Sequence, residues 1–493
     1  MPDFTAYTRH ELDITQKEIE KAIYTVVAPL SITAWRTTEP VPYSQRKIGK
    51  KLDLNIGDRW GDLFDSAWFH FTGKIPSSAK GQPVVLLLDV NGEMLVVDQE
   101  GAPLRGLTNV ASTYDYSLGL PGKRVLPITS QAQEFEIIDI WADAGANDLF
   151  GNLSQNGVIR EASIAICHEH VRSLYYDFEF LLDFLKVLPP DSVRFAQILR
   201  ALNDARWALA SGYTDETVSQ ARQPLKAMLD KRGGDASLVI SAAGHAHIDL
   251  AWLWPLRESK RKLARTYATV LANMEKYPHY IFGASQPQLF QWMKESYPAL
   301  YERVRQRVQE GRFEPQGAMW VEADTNLSGG EALVRQLLLG KRFFQQEFGV
   351  DMHYLWLPDV FGYSAALPQI LKKAGVDFFM TQKLSWNQIN HFPLYSFHWT
   401  GIDGTRILAH MLPEETYNSP AAPRSVVKIE KNYAQKDVSD RCLMLFGIGD
   451  GGGGPGEEHL ERLSRLKNLA GLSPVIQEPA RNFFEQWKKD AGR

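Results

Sequence analysis

The chain has 493 residues, too many for one hydrophobic core, and points to roughly two to four domains. Its 44% hydrophobic and 23% charged content is that of a globular protein, and a net charge of −4 argues against nucleic acid or an anionic membrane as partner. Cys167 and Cys442 lie far apart in apolar runs and read as buried free thiols, the N-terminus lacks a secretion signal, and no apolar run is long enough to span a bilayer, so the expected location is cytoplasmic.

Residues 1–170 read as a β-rich, sandwich-like domain. Trp68–Phe71, Val84–Leu88, Met94–Val97 and Phe135–Trp141 are strand-like, and Asn91-Gly92 between the second and third is a hairpin signal. Residues 171–237 read as a helical connector and linker. Leu181, Leu182, Phe184, Leu185 and Leu188 lie on one helix, a second helix begins near Phe195, and the polar stretch 213–237 reads as linker.

From residue 238 to 493 strands and helices alternate, which predicts a parallel α/β domain, here a seven-stranded β/α barrel-like one. Strands are expected at Leu238–Ala243, Tyr280–Phe282, Tyr354–Leu357, Phe378–Met380, Ile407–His410 and Leu443–Phe446, with another at Gly317–Glu322. Leu263, Tyr267, Val270, Leu271 and Met274 have helical spacing, and Ser328 with Glu331 has capping-box spacing at the start of a further helix.

Polar residues gather at the C-terminal ends of these strands, where parallel sheets bind ligands. His247 and Asp249 follow the first strand and, two apart, point the same way, as the start of a mixed nitrogen and oxygen metal shell. Asp359 follows Leu357, Gln382-Lys383 follows Thr381, and Asp450 follows Ile448. Asp450 reads equally as part of an Asp-Gly turn. His245, His398 and His410 read as structural residues, the last two as hydrogen-bonded core histidines. Arg257 and Glu258 read as decorating or capping the next helix. The Gly451–Gly454 run lacks the following Lys-Ser/Thr of a phosphate loop and fits close backbone approach to a ligand. Thirteen tryptophans mildly favour sugar binding.

Gly-His-Ala-His-Ile-Asp-Leu-Ala-Trp-Leu-Trp-Pro at 244–255, Trp-Leu-Pro-Asp-Val-Phe-Gly-Tyr-Ser at 356–364 and Gly-Asp-Gly-Gly-Gly-Gly-Pro at 449–455 resemble glycoside hydrolase family 38, within it the cytosolic-type α-mannosidases. Ser285–Gln288 and Glu314–Gly317 are similar too, and Trp60–Phe64 with Ala67–Phe69 resembles the leading domain of that branch. The resemblance implies a retaining exo-glycosidase that removes terminal α-linked mannose from oligosaccharides. It also implies a metal site, zinc or in part of the branch cobalt, with His247, Asp249 and Asp359 as ligands. On the same footing Asp359 is also the nucleophile, Asp450 the general acid/base and Trp252 the aromatic beneath the sugar, while Lys383 and Tyr417 contact nucleophile or substrate.

Family members are about twice as long and carry a second His ligand further on, in a His-Arg-Gly-Thr-Tyr-Thr-like motif of a helical region. After Asp450 this chain has only His459, which reads as part of an exposed helical turn. The expectation is a truncated chain with three explanations: a split enzyme whose complementary C-terminal polypeptide completes the site; a non-catalytic sugar- or metal-binding remnant; or water in the fourth position. A homo-oligomer is the other partner expected. A metal-dependent carbohydrate deacetylase is the alternative from another enzyme class.

Overall fold

The computed structural model describes residues 4–151, 157–234 and 238–491. Helix α1 (Phe4–Lys21) comes first, where only β structure was expected, and its Leu12 and Ile19 pack into the same core as the later helices. Ten strands follow: β1 (Tyr24–Pro29), β2 (Ser31–Thr37), β3 (Lys50–Leu54), β4 (Ser66–Lys74), β5 (Val84–Asp89), β6 (Glu93–Val97), β7 (Pro103–Leu107), β8 (Val125–Thr129), β9 (Ile137–Gly145) and β10 (Glu161–Cys167). They form two antiparallel sheets, ordered β1-β10-β5-β8 and β3-β2-β4-β9-β6-β7, as the sandwich reading requires.

Phe69, Phe71, Leu86, Leu88, Val96 and Ile164 fill the space between the sheets, and Trp60 closes it, donating its indole N–H to Val90 O at 2.9 Å. On the other face of β5, Val85 and Leu87 join the helical core, so this strand is buried on both sides and its apolar run is unbroken. The Asn91-Gly92 turn is not a hairpin. It carries the chain from one sheet to the other, since β5 pairs β10 and β8 whereas β6 pairs β7 and β9. Asn91 adopts φ 51°, and a Cβ on Gly92 would lie 2.5 Å from Gly145 O, so a close interlayer crossing explains the pair.

Helices α2 (Glu169–Val187), α3 (Val193–Ala208) and α4 (Asp215–Leu229) pack together. The third corrects the linker reading of 213–237: Val218, Ala221 and Leu225, three and four apart, bury one face of an otherwise polar segment.

The last domain contains β11 (Val239–His245), α5 (Leu256–Lys276), β12 (Phe282–Ala284), α6 (Pro287–Ser296), α7 (Pro298–Gln309), β13 (Phe313–Pro315), α8 (Gly330–Phe348), β14 (Tyr354–Leu357), α9 (Leu367–Lys373), β15 (Phe378–Thr381), β16 (Ser396–Thr400), β17 (Arg406–Met411), α10 (Pro423–Asn432), β18 (Arg441–Phe446), α11 (Glu457–Leu466), β19 (Val475–Gln477) and α12 (Ala480–Ala491). β13-β12-β11-β18 and β14-β15-β17 are two arcs of parallel strands, seven in all, with β16 antiparallel at one edge and β19 beside the start of β11.

Side chains alternate across these strands. Leu355, Phe379, Ala409 and Met444 point to the large outer core. Ala243, Trp356, Met380, Leu408 and Leu445 point the other way, onto Phe483, Phe484 and Trp487 of α12. The start of α12 is held by Glu314 of β13, whose carboxylate accepts from the N–H groups of Ala480 at 2.7 Å and Arg481 at 2.9 Å. That satisfies two of the N–H groups a helix leaves unpaired, at the end where its dipole favours an anion.

Local departures have local causes. The strand expected at 317–322 is β13, four residues earlier, and 317–322 is a bend. α8 opens after Gly329, with no side-chain cap from Ser328. His398 is exposed on edge strand β16 and is not a core histidine. His410 is one, packed between Phe483 and Trp487 and accepting from Leu443 N.

Candidate functional site

Each of the seven parallel strands leads, beyond its C-terminal end, to side chains of the candidate site. β11 leads to His247 and Asp249, β12 to Ser285 and Gln286, β13 to Glu322, β14 to Asp359, β15 to Lys383, β17 to Tyr417 and β18 to Asp450. One donor atom from each of His247, Asp249, Asp359 and Asp450 lies within 4.8 Å of the others. Residues separated by more than two hundred positions thus converge as the strand order requires.

His247 is buried and held from behind. Its Nε2 faces Asp249 Oδ1 at 3.4 Å and Asp359 Oδ2 at 3.5 Å, while Glu322 Oε2 lies 2.7 Å from Nδ1. Burial alone would lower the ring's pKa, but Glu322 and Asp249 more than offset it and hold it well above the ordinary histidine range. Glu322 is itself fixed by Ser285 Oγ, which donates at 2.6 Å, and its N–H donates to Gln286 Oε1 at 3.2 Å. Gln286, at φ 68°, also donates from Nε2 to Ile248 O at 2.9 Å, so the Ser285-Gln286 pair ties β12 to the loops after β11 and β13.

Asp359 sits between a cation and a phenol. Lys383 Nζ forms an ion pair with its Oδ1, and the Tyr417 hydroxyl donates to its Oδ2 at 2.7 Å. The same hydroxyl oxygen lies 2.7 Å from Asp450 Oδ1. The ammonium of Lys383 is also 3.2 Å from the ring centre of Trp386 and 4.5 Å from that of Phe361, a cation–π cage. Asp450 has φ 62°, a left-handed conformation open to few residues besides glycine. Burial raises its carboxyl above the ordinary range, with Asp249 and Asp359 adding to the effect against His247 and Tyr417.

Trp252 is 51% exposed and stands on the loop after Asp249, edge to face with Trp254. With Phe361 at 70% and Trp386 at 58%, it belongs to the few aromatic rings turned to solvent. Trp60, Trp356 and Trp487, by contrast, are wholly interior, so most of the tryptophan richness is packing. His245 is structural, as expected: it is buried against Trp356, and burial lowers its pKa to about 4.

Two expectations fail. His459 is fully buried at the start of α11, where Gly456 N donates to its Nδ1 at 3.1 Å; the helix packs this turn against Phe446. Glu258 is no surface cap, since it is buried between Arg261 and Arg265. Glu322, Ser285, Gln286, Phe361 and Trp386 were not assigned roles from sequence. For Glu322 the misplaced strand hid its position beyond a strand end.

The donor set suits a divalent ion. His247 Nε2 is buried and faces the carboxylate oxygens of Asp249 and Asp359. One imidazole with several carboxylates is a shell used for zinc and similar metals. No helix among the described residues is long and apolar enough to cross a membrane.

A family model for the glycosyl hydrolases family 38 N-terminal domain matches residues 237–493, and one for an alpha-mannosidase jelly roll domain matches residues 28–168. The chain is 36% identical to alpha-mannosidase 2C1 of Mus musculus over 474 residues, covering 94% of this chain and 45% of that protein. For the Homo sapiens alpha-mannosidase 2C1 the figures are 35% over 491 residues, 97% and 46%. For the alpha-mannosidase of Saccharomyces cerevisiae they are 33% over 441 residues, 85% and 40%. The chain thus spans less than half the length of these relatives.

Proposed function

The chain belongs to glycosyl hydrolase family 38, and from that premise we propose that it is the catalytic portion of a metal-dependent retaining α-mannosidase acting on terminal α-linked mannose of oligosaccharides in the cytoplasm. The observation that carries this reading is the placement of Asp359 and Asp450 on one phenol, with oxygens within 4.8 Å. Retaining glycosidases set their two carboxyl groups about 5–5.5 Å apart, whereas inverting ones leave about 6.5–9.5 Å for a water.

Tyr417 lies 2.7 Å from both aspartates, with one hydroxyl proton between them. Tyr417 keeps its own, because burial raises it well above the ordinary phenol range. Burial raises the Asp450 carboxyl, which supports Asp450 as the general acid. Asp359, beside the Lys383 ammonium, is the nucleophile.

Asp359 attacks the anomeric carbon as the glycosidic bond breaks, and the Asp450 proton passes to the departing oxygen. Asp450 then takes a proton from water as that water attacks the same carbon and releases Asp359. His247, Asp249 and Asp359 would hold the metal, zinc or cobalt, which when bound supplies Lewis-acid polarisation of sugar hydroxyls. Trp252 would lie beneath the ring, with Lys383 and Tyr417 orienting nucleophile and substrate.

The test is hydrolysis of 4-nitrophenyl α-mannoside by the purified chain with zinc or cobalt added, together with trapping by a fluorinated mannosyl donor. Turnover with the label on Asp359 is expected. A label elsewhere, or turnover without a covalent sugar, would overturn the mechanism.

A further inference from the structure

We propose that the N-terminal sandwich is part of the catalytic apparatus, with Lys123 as the positioning residue that fixes the loop bearing Asp450. The inference rests on the reading of Asp450 as the acid.

The loop after β18 folds back on itself. Gly452 N donates to Gly449 O at 2.7 Å and Gly454 N to Ile448 O at 2.9 Å, while Asn418 Oδ1 accepts from Gly449 N at 2.7 Å. Gly451, Gly453 and Gly454 have φ 137°, 85° and 68°, so only glycine follows this path without strain. Two lysines receive carbonyl oxygens of this loop. Lys123 Nζ donates to Gly452 O at 3.3 Å and Gly454 O at 3.1 Å, and Lys262 Nζ reaches Gly451 O at 3.5 Å.

Both lysines depend on the sandwich. Lys123 follows the last turn before β8, where its N–H donates to Thr108 Oγ1 at 2.8 Å and its carbonyl accepts from Thr108 N at 3.0 Å. Lys262 belongs to α5, but its ammonium is held by Glu93 of β6 at 2.6 Å and by Leu149 O at 2.9 Å. The seam itself is close. A Cβ on Gly106 of β7 would lie 2.4 Å from Arg265 O, and Asp143 of β9 takes both Nε and NH2 of Arg261, at 3.0 and 2.7 Å.

The Lys123 ammonium is part-buried and forms no direct ion pair among the described residues, and desolvating an ammonium is costly. Burial lowers its pKa to about 8, with Glu458 opposing the effect. What the charge gains is two carbonyl contacts on one loop, and that loop sets where the Asp450 carboxyl points.

The experiment compares wild type, Lys123→Met and Lys123→Arg in the full chain with zinc. Amide hydrogen exchange is followed across 449–454 and, as an internal control, in strands β4 and β9. In Lys123→Met, exchange in the loop is expected to rise about tenfold with the strands unchanged, and Lys123→Arg to stay near wild type. Unchanged loop exchange, or an equal rise in the strands, would overturn the clamp. In turnover, Lys123→Met is expected to lose about tenfold on an α-linked mannobiose, whose leaving group needs a proton, and little on 2,4-dinitrophenyl α-mannoside, whose leaving group does not. Equal loss on both substrates would overturn the assignment as a positioning residue. Wild-type protein that hydrolyses neither substrate would count against the proposed function, while the exchange result still decides the clamp.

Discussion

Glu322 stands 2.7 Å behind His247, on the ring nitrogen turned away from the three aspartates. A carboxylate in that position fixes the tautomer and ring orientation of a metal-binding imidazole and raises its basicity. Glu322→Gln keeps the shape and removes the charge. Zinc affinity, read by competition with a chelator, is expected to fall by about 10–100-fold. An unchanged affinity would show that His247 is oriented by its packing against Tyr417 alone.

Asp359 and Asp450 are predicted to separate when each is changed to asparagine. Asp359→Asn should abolish covalent labelling and weaken zinc binding together. Asp450→Asn should lower turnover on oligosaccharides by about 10²–10⁴-fold and leave zinc in place. Zinc content by mass spectrometry alongside kinetics decides the matter, because Asp450 lies close enough to be a ligand itself. Loss of zinc in Asp450→Asn would move this residue from acid to metal ligand.

Glu457 predicts an acid limb of stability. It lies at the start of α11 and pairs with Arg105 of the sandwich, Arg172 of α2 and Lys276 of α5. Burial alone would raise its carboxyl, but Lys276, Arg172 and Arg105 more than offset this and hold it at about 2. A carboxyl lowered in the folded state stabilises fully above its unfolded value, about 4.5. That contribution is lost as pH falls through the folded value. The gap in melting temperature between wild type and Glu457→Gln should therefore be widest near neutrality and narrow from about pH 4.5 towards 2. A gap independent of pH would refute the account.

Trp487 predicts the worth of the inner helix. It is wholly buried in α12, stacks on Phe483 at 5.6 Å between ring centres, and donates its indole N–H to Ser396 Oγ at 3.2 Å. Trp487→Ala should cost about 3–5 kcal/mol, the usual loss for a large core aromatic. Urea unfolding monitors this directly, and a loss under about 1 kcal/mol would mean that the helix contributes little to the barrel interior.

Much of this was legible in the sequence because the physics was local. The unbroken apolar run of β5, the helical spacing within α5 and the strand-end positions of His247, Asp249, Asp359 and Asp450 each follow from neighbours along the chain. Errors came where tertiary context decides. Asn91-Gly92 has the composition of a hairpin, but its strands enter different sheets. Within the polar segment, Asp215–Leu229 folds as α4 because α2 and α3 cover its three buried apolar side chains. Glu322 could not be placed as a histidine partner, since that role needs the register of β13 and the unusual backbone of Gln286. The lysines behind the glycine loop come from distant segments, and no spacing rule relates them.

The left-handed backbone of Asp450 has a consequence for how this protein can change over generations. Asparagine and glycine tolerate φ 62° about as well as aspartate does, whereas bulkier residues are strained there. Those two replacements are each a single base change from an aspartate codon, and each removes the carboxylic acid while leaving the loop its shape. Descent can therefore erase the carboxyl at this position without disturbing the architecture, leaving a folded protein that lacks the group assigned here as the acid.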